Sequence, residues 1–115
     1  MDIEKMIEVE ILLAYYSQLL TEKQREIISM YYEEDYSLGE ISSILKISRQ
    51  SVFDSLKRSE KSLKEYENKL RMVEKSKKIN KQVDKLAKQI ESLSNIDKKD
   101  QNQLRILIEE VRELI

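Results

Sequence analysis

The stretch that most constrains the fold covers residues 37–58 and reads SLGEISSILKISRQSVFDSLKR. Ser37 is a favoured helix N-cap, and Glu40, three positions later, completes a capping box. Residues 46–47 suit a tight turn, after which Ser48 can cap a second helix. Two short helices joined by such a turn form the helix-turn-helix unit.

Apolar residues fall at helical spacing on the inner side of both predicted helices. They are Ile41, Ile44 and Leu45 in the first helix, Ile47 in the turn, and Val52 and Leu56 in the second helix. Together with the two caps, this spacing favours a helix-turn-helix. The alternative is a plain helical hairpin within an all-α bundle.

Composition supports an all-α fold and argues against several kinds of active site. The 115 residues include no Pro, no Cys, no His and one Gly, and charged residues make up 37%. Such a chain is poor in strand formers and in turn residues. It lacks the His and Cys needed for nucleophile pairs and zinc sites, and it has no glycine-rich phosphate loop. We therefore predict that the protein is not an enzyme and needs no cofactor, metal or small-molecule substrate.

The sequence also indicates a compartment. No apolar run approaches the roughly 20 residues that a membrane-spanning helix needs. The acidic start MDIEKMIEVE lacks the basic residues and apolar core of a signal peptide. We expect a cytoplasmic protein that does not contact a membrane.

Charge is distributed unevenly, although the formal net charge is only -1. Residues 1–40 carry three basic and ten acidic side chains, whereas residues 41–64 carry six basic and two acidic ones. Residues 69–88 form a second basic block. A basic stripe beside the motif suits a phosphate backbone. A solvated helix surface explains it equally well, and both interpretations stay open.

Two helices are predicted before the motif. The first covers about Ile3 to Leu19, and its broad apolar face indicates burial on more than one side. The second starts at Thr21, where Thr21 and Gln24 form a capping box, and runs to about Glu33. The tyrosines of this region are expected to pack in a small core rather than to stack on bases.

The second helix of the motif has no clear end. Its apolar positions continue at spacings of three and four, so we predict one helix from about Arg49 to about Val73 that leaves the bundle as a coiled-coil strand. The register breaks at residues 75–78, which indicates either a bend or a separate helix, and it resumes over residues 79–93. A final helix, after a loop at residues 94–97, is expected to fold back on the preceding segment as a hairpin.

Two parts are therefore predicted, a helix-turn-helix bundle over residues 1–65 and a helical extension over residues 66–115. So long an extension favours a homodimer, which would match a two-fold operator. The alternative is that the extension packs on the first helices of its own chain.

The outward side of the motif's second helix would enter the major groove of DNA. The candidate nucleic-acid-binding residues are Ser48, Arg49, Gln50, Phe53, Asp54, Lys57, Arg58 and Lys61. Arg49 and Gln50 can make paired hydrogen bonds to guanine and adenine, respectively. Asp54 weakens the hypothesis, because a carboxylate repels phosphates, although it can accept a bond from a cytosine amine.

Four motifs lie between Leu19 and Glu67, namely LTEKQREI, YYEEDYSLGEIS, ISRQSV and LKRSEKSLKEYE. Through them the segment resembles the YlxM family of bacterial helix-turn-helix proteins and, more distantly, region 4 of sigma factors. The resemblance implies an all-α, sigma region 4-like bundle with a C-terminal helical extension. The sequence differs from the usual motif at Lys46, where Gly is usual, and at Ser42 and Ser51, where Ala is usual.

The resemblance also implies a cellular context. Genes of this family commonly lie beside the gene for the signal recognition particle GTPase, so a component of that pathway is a candidate partner. We predict a nucleic-acid-binding regulatory protein whose ligand is DNA or RNA. The alternative is a non-catalytic adaptor for a protein such as the GTPase, in which the helix-turn-helix is only a scaffold.

Overall fold

The computed structural model describes residues 2–115, and this part of the chain contains no β-strand. Its α-helices are α1 (Ile3–Tyr16), α2 (Glu22–Tyr32), α3 (Leu38–Leu45), α4 (Arg49–Leu70), α5 (Met72–Glu91) and α6 (Lys98–Glu113), with a 3-10 helix at Ser17–Leu19. The predicted all-α fold is confirmed. The chain forms two compact units, of which the first ends at Val73 and the second covers Glu74–Ile115. Among the described residues, no helix combines the length and apolarity needed to cross a bilayer.

Hydrogen-bonded caps begin the helices at the predicted positions. The Thr21 hydroxyl accepts from the Gln24 N–H, while the Gln24 side chain accepts from the Thr21 N–H, both at 3.2 Å. Ser37 and Glu40 form the same reciprocal pair at 3.1 Å, and the Ser48 hydroxyl caps α4. Each cap satisfies amide donors that a helix start leaves unpaired.

Helices α1 to α4 surround one hydrophobic core. Its buried members are Val9, Leu12, Leu13, Tyr16, Leu20, Ile27, Ile28, Met30, Tyr32, Ile41, Val52, Leu56 and Leu63. The tyrosines of α1 and α2 lie in or against this core, as expected. Ile44 differs from its prediction and is 52% exposed, because the core-facing side of the short α3 is centred on Ile41 and Leu45.

The apolar stripe of α4 packs inside this bundle. Leu63, late in the stripe, is completely buried, and the Tyr66 hydroxyl donates to the Leu19 carbonyl at 3.1 Å. The prediction that this stripe leaves the bundle as a coiled-coil strand is therefore wrong. Spacings of three and four also suit packing against helices of the same chain, and α1 and α2 occupy that side of α4.

Helix α4 ends before the position predicted from the sequence. Its last residue is Leu70, and Arg71 adopts the left-handed conformation with φ 53°. The helix predicted to reach about Val73 therefore ends three residues earlier. A separate helix does follow, but it starts at Met72 and not after residues 75–78, which lie within α5. A left-handed non-glycine residue costs about 1–2 kcal/mol, so other contacts must stabilise this break.

Tyr16 and Glu67 supply those contacts. The Tyr16 hydroxyl donates to Glu67 Oε1 at 2.5 Å and accepts from the Met72 N–H at 3.1 Å. Glu67 Oε1 also accepts from the Val73 N–H at 3.1 Å. Burial and the bond to Glu67 raise the pKa of the Tyr16 hydroxyl, which therefore stays protonated. The two side chains satisfy amides at the start of α5 and so stabilise the helix break.

The second unit is an antiparallel hairpin of α5 and α6, which confirms that prediction. Its small core consists of Val83, Ile90 and Ile108, with Ala87, Leu104 and Ile115 packed against them. The Asp97 carboxylate accepts from the Lys99 N–H and caps α6.

Replacing Tyr16 by Phe tests the stabilisation of this helix break. The variant removes the hydroxyl that bonds to the Met72 N–H and to the half-buried Glu67 carboxylate. We therefore expect the free energy of unfolding to fall by about 1–3 kcal/mol. Urea denaturation followed by circular dichroism measures the loss. Tyr15→Phe, at a half-exposed ring, is the matched control and should change stability by less than about 0.5 kcal/mol. Equal losses in the two variants would contradict this account.

Candidate nucleic-acid interface

Ser42 ties together the two sides of the turn between α3 and α4. Its carbonyl accepts from the N–H groups of Lys46 and Ile47, and its hydroxyl donates to the Ile47 carbonyl at 2.6 Å. Lys46 is left-handed, with φ 57°, as expected for a position where Gly is usual. The hydroxyl of Ser42 therefore closes the turn and helps to offset the strain at Lys46.

Arg49, the first residue of α4, lies against Gly39 of α3. A Cβ built on Gly39 would lie 2.9 Å from Arg49 Nη2 and 3.2 Å from Arg49 Cζ. Gly39 is the only glycine of the chain, yet its φ is negative. The left-handed positions are instead Asp35, Lys46 and Arg71. Gly39 thus serves a close approach of the guanidinium rather than an unusual backbone conformation.

Gln50 and Asp54 form a pair on the outward side of α4. Gln50 Nε2 donates to Asp54 Oδ1 at 2.9 Å, one helical turn away. Asp54 is half-buried and lines a shallow groove together with Lys23 and Arg58. The carboxylate that weakened the DNA hypothesis is therefore hydrogen-bonded and shares its groove with two cationic side chains. This arrangement reduces its repulsion of phosphates.

The buried Glu60 organises the other edge of the same helix side. The Tyr32 hydroxyl donates to Glu60 Oε1, while Glu60 Oε2 lies 3.4 Å from Lys5 Nζ and 3.7 Å from Lys57 Nζ. Burial and the bond to Glu60 raise the pKa of the Tyr32 hydroxyl. Lys57 Nζ also lies 5.4 Å from the centre of the Phe53 ring. Lys57 is thus held in place, but Glu60 offsets part of its charge.

The candidate residues extend from Ser48, the N-cap of α4, to Lys61, just past the middle of the helix. Seven are exposed, and only Asp54 is half-buried. At 100° per residue, Gln50, Phe53, Lys57 and Lys61 fall within about 80° of the helix circumference. We call the surface formed by residues 48–50, 53, 54, 57, 58 and 61 the α4 face. Its exposure agrees with the predicted outward side, and its binding of nucleic acid stays a prediction.

Three residues that shape this surface were not predicted. The role of Gly39 could have been predicted, because an isolated glycine inside a predicted helix indicates a close contact. The burial of Glu60 could also have been predicted, since it falls one turn from Leu56 and Leu63 on the buried stripe. The contact of Lys5 could not, because it pairs with Glu60 from a distant part of the sequence.

Gly39→Ala tests the contact with Arg49. The added Cβ should displace the guanidinium, while α3 should lose no stability, because Ala favours a helix by about 0.5–1 kcal/mol over Gly. Nuclear magnetic resonance of the Arg49 Nε–H group measures the displacement, and thermal unfolding measures stability. Glu8→Ala, at an exposed side chain of α1, is the control and should leave the Arg49 resonance in place. An unchanged resonance in Gly39→Ala would show that the contact is absent in solution.

Comparison with known proteins agrees with this architecture. The family model described as "UPF0122: Putative helix-turn-helix protein, YlxM / p13 like" matches residues 3–105. A UPF0122 protein of Pediococcus pentosaceus is 54% identical over 59 residues, which cover 51% of this chain and 52% of the relative. One from Caldanaerobacter subterraneus is 69% identical over 48 residues, 42% of this chain and 41% of the relative. The chain spans about half the length of the curated relatives it matches.

Proposed function

The chain belongs to the UPF0122 family of YlxM-like helix-turn-helix proteins, and we propose that it binds nucleic acid through the α4 face. The observation that carries the proposal is the exposure of Arg49, Gln50 and Phe53 in the first turns of the motif's second helix. In helix-turn-helix proteins these turns contact base edges in the major groove.

The first residues of α4 are suited to base contacts. The Arg49 side chain is exposed, and its guanidinium lies against Gly39 at the helix start, where it can reach a guanine edge. Gln50 can contact adenine by exchanging its bond to Asp54, and the Phe53 ring can contact a thymine methyl group.

Basic residues further along α4 are suited to phosphate contacts. Arg58 and Lys61, at the C-terminal end of the α4 face, are exposed, and so is Lys64, three residues beyond Lys61. Lys57 contributes less, because its ammonium group pairs with Glu60. If three phosphates are neutralised, a plot of the logarithm of the binding constant against the logarithm of the salt concentration should have a slope of about −2.7.

The finer parts of the proposal concern context. We propose a non-enzymatic regulatory protein that acts in the cytoplasm as a homodimer, because two motifs related by a two-fold axis fit a symmetric operator. Action in the signal recognition particle pathway is supported by the family resemblance alone. An adaptor that contacts a protein instead of nucleic acid is the competing outcome.

Binding of duplexes enriched from a random pool tests the proposal. Fluorescence anisotropy should show an affinity that falls about 40-fold between 50 and 200 mM salt. Arg49→Ala should weaken binding by about 1–3 kcal/mol at either salt concentration. Lys99→Ala, an exposed cation of α6, is the control and should bind like the unchanged protein. Undetectable or salt-insensitive binding would contradict the proposal.

A parallel series with structured RNA decides between the two nucleic acids. Tighter binding of RNA than of duplex DNA at equal salt would assign RNA as the ligand, since RNA is recognised through its shape and single-stranded bases. A protein partner that survives nuclease treatment, and is retained by the variant with Arg49→Ala and Lys57→Ala, would favour the adaptor.

A further inference from the structure

The α5–α6 hairpin is closed by ion pairs on one side. The Arg105 guanidinium donates to both oxygens of Glu91, at 2.5 and 2.8 Å, and Arg112 Nη1 lies 2.8 Å from Asp84 Oδ1. At 100° per residue, these four side chains lie on the same side of the small hairpin core. They join α5 to α6 along that side.

The opposite side of the hairpin is apolar and exposed. Its members are Ile79 and Leu86 on α5, Leu93 two residues after that helix, Leu107 and Val111 on α6, and Leu114 at the C-cap of α6, with exposed fractions from 42% to 87%. A spacing of seven on α5 and of four on α6 places the helical members of each set on one line, and Leu93 and Leu114 follow at the helix ends. Because the helices are antiparallel, both lines fall on the same side of the hairpin. We call these six residues the hairpin apolar face.

The two edges of this face carry opposite charges. Lys85 is exposed beside the α5 line, and Glu110 is exposed beside the α6 line. The ion pairs Glu91–Arg105 and Asp84–Arg112 set the register of the hairpin, so Lys85 and Glu110 lie at nearly the same height along the helix axes. A face with a cation on one edge and an anion on the other is complementary to a second copy of itself.

We propose that the hairpin apolar face binds the same face of a second copy of this chain and forms an antiparallel four-helix bundle. With the two-fold axis parallel to the helices, α5 packs on α6 of the second copy. Lys85 of each copy then lies opposite Glu110 of the other, giving two cross-copy ion pairs. Every helix also has antiparallel neighbours, which suits the helix dipoles.

The charges at the two edges favour packing of α5 on α6 of the second copy over packing of α5 on α5. A two-fold axis perpendicular to the helices would pack α5 on α5 and bring the lysine edges together. In the proposed arrangement, Leu107 falls between Leu86 and Leu93 along the helix axis and Leu114 falls between Ile79 and Leu86, while Val111 lies level with Leu86. The pairing deepens the homodimer part of the proposed function and requires no nucleic acid, so the two proposals can fail separately.

Sedimentation velocity of the full chain without nucleic acid tests the pairing. The unchanged protein should sediment as a dimer, with twice the mass of 13.7 kDa. Leu86→Glu should give a monomer with unchanged helicity, because this side chain is 52% exposed within one chain. Ile44→Glu, which is also 52% exposed but lies on α3 in the first unit, is the matched control and should remain a dimer. A monomeric unchanged protein, or equal dimerisation of the two variants, would overturn the proposal.

A charge exchange tests the arrangement of the helices. Lys85→Glu or Glu110→Lys should each raise the dimer dissociation constant roughly 5- to 30-fold, because each creates two like-charge contacts. The variant carrying both changes should return to within about 3-fold of the unchanged protein, since opposite charges face each other again. Additive weakening in the double variant would exclude the proposed packing of α5 on α6.

Discussion

Burial of one side of α4 is the interaction on which the rest of the structure depends. Val52, Leu56 and Leu63 are each at most 4% exposed, in a core shared with α1, α2 and α3. Burial of each such side chain contributes about 1.5–3 kcal/mol. Because the directions of side chains around a helix are fixed, burial of one side of α4 exposes the opposite side of its first turns to solvent. The position of the α4 face therefore follows from core packing.

Polar contacts then set what the α4 face can do. Gly39 leaves room for the Arg49 guanidinium, and Gln50 engages Asp54. Glu60 holds Lys57 in place while offsetting part of its charge. Arg49 is consequently the cation best placed for base contacts, and the cations beyond Lys57 are better placed for phosphates. The proposed division, with base contacts from Arg49 and phosphate contacts from the later cations, is typical of helix-turn-helix proteins.

How far the sequence predicted the structure depends on the range of each interaction. Capping boxes span three residues, so the starts of α2 and α3 were read from local pattern alone. The end of α4 depends on the Tyr16–Glu67 bond, which joins residues 51 positions apart and leaves no local signal. The apolar stripe of α4 was misread because coiled coils and small bundles use the same spacing. Periodicity predicted the exposure of the α4 face except at Asp54, which is half-buried, but not the contacts of Gly39 with Arg49 and of Glu60 with Lys57.

The central claim is that the α4 face is open and receives a polyanion. Titration of the isotope-labelled protein with an enriched duplex, followed by amide resonances, tests it most directly. The account predicts that shifts concentrate between Ser48 and Lys61 and shrink as salt is raised. Shifts that are absent, or confined to residues 74–115, would contradict it.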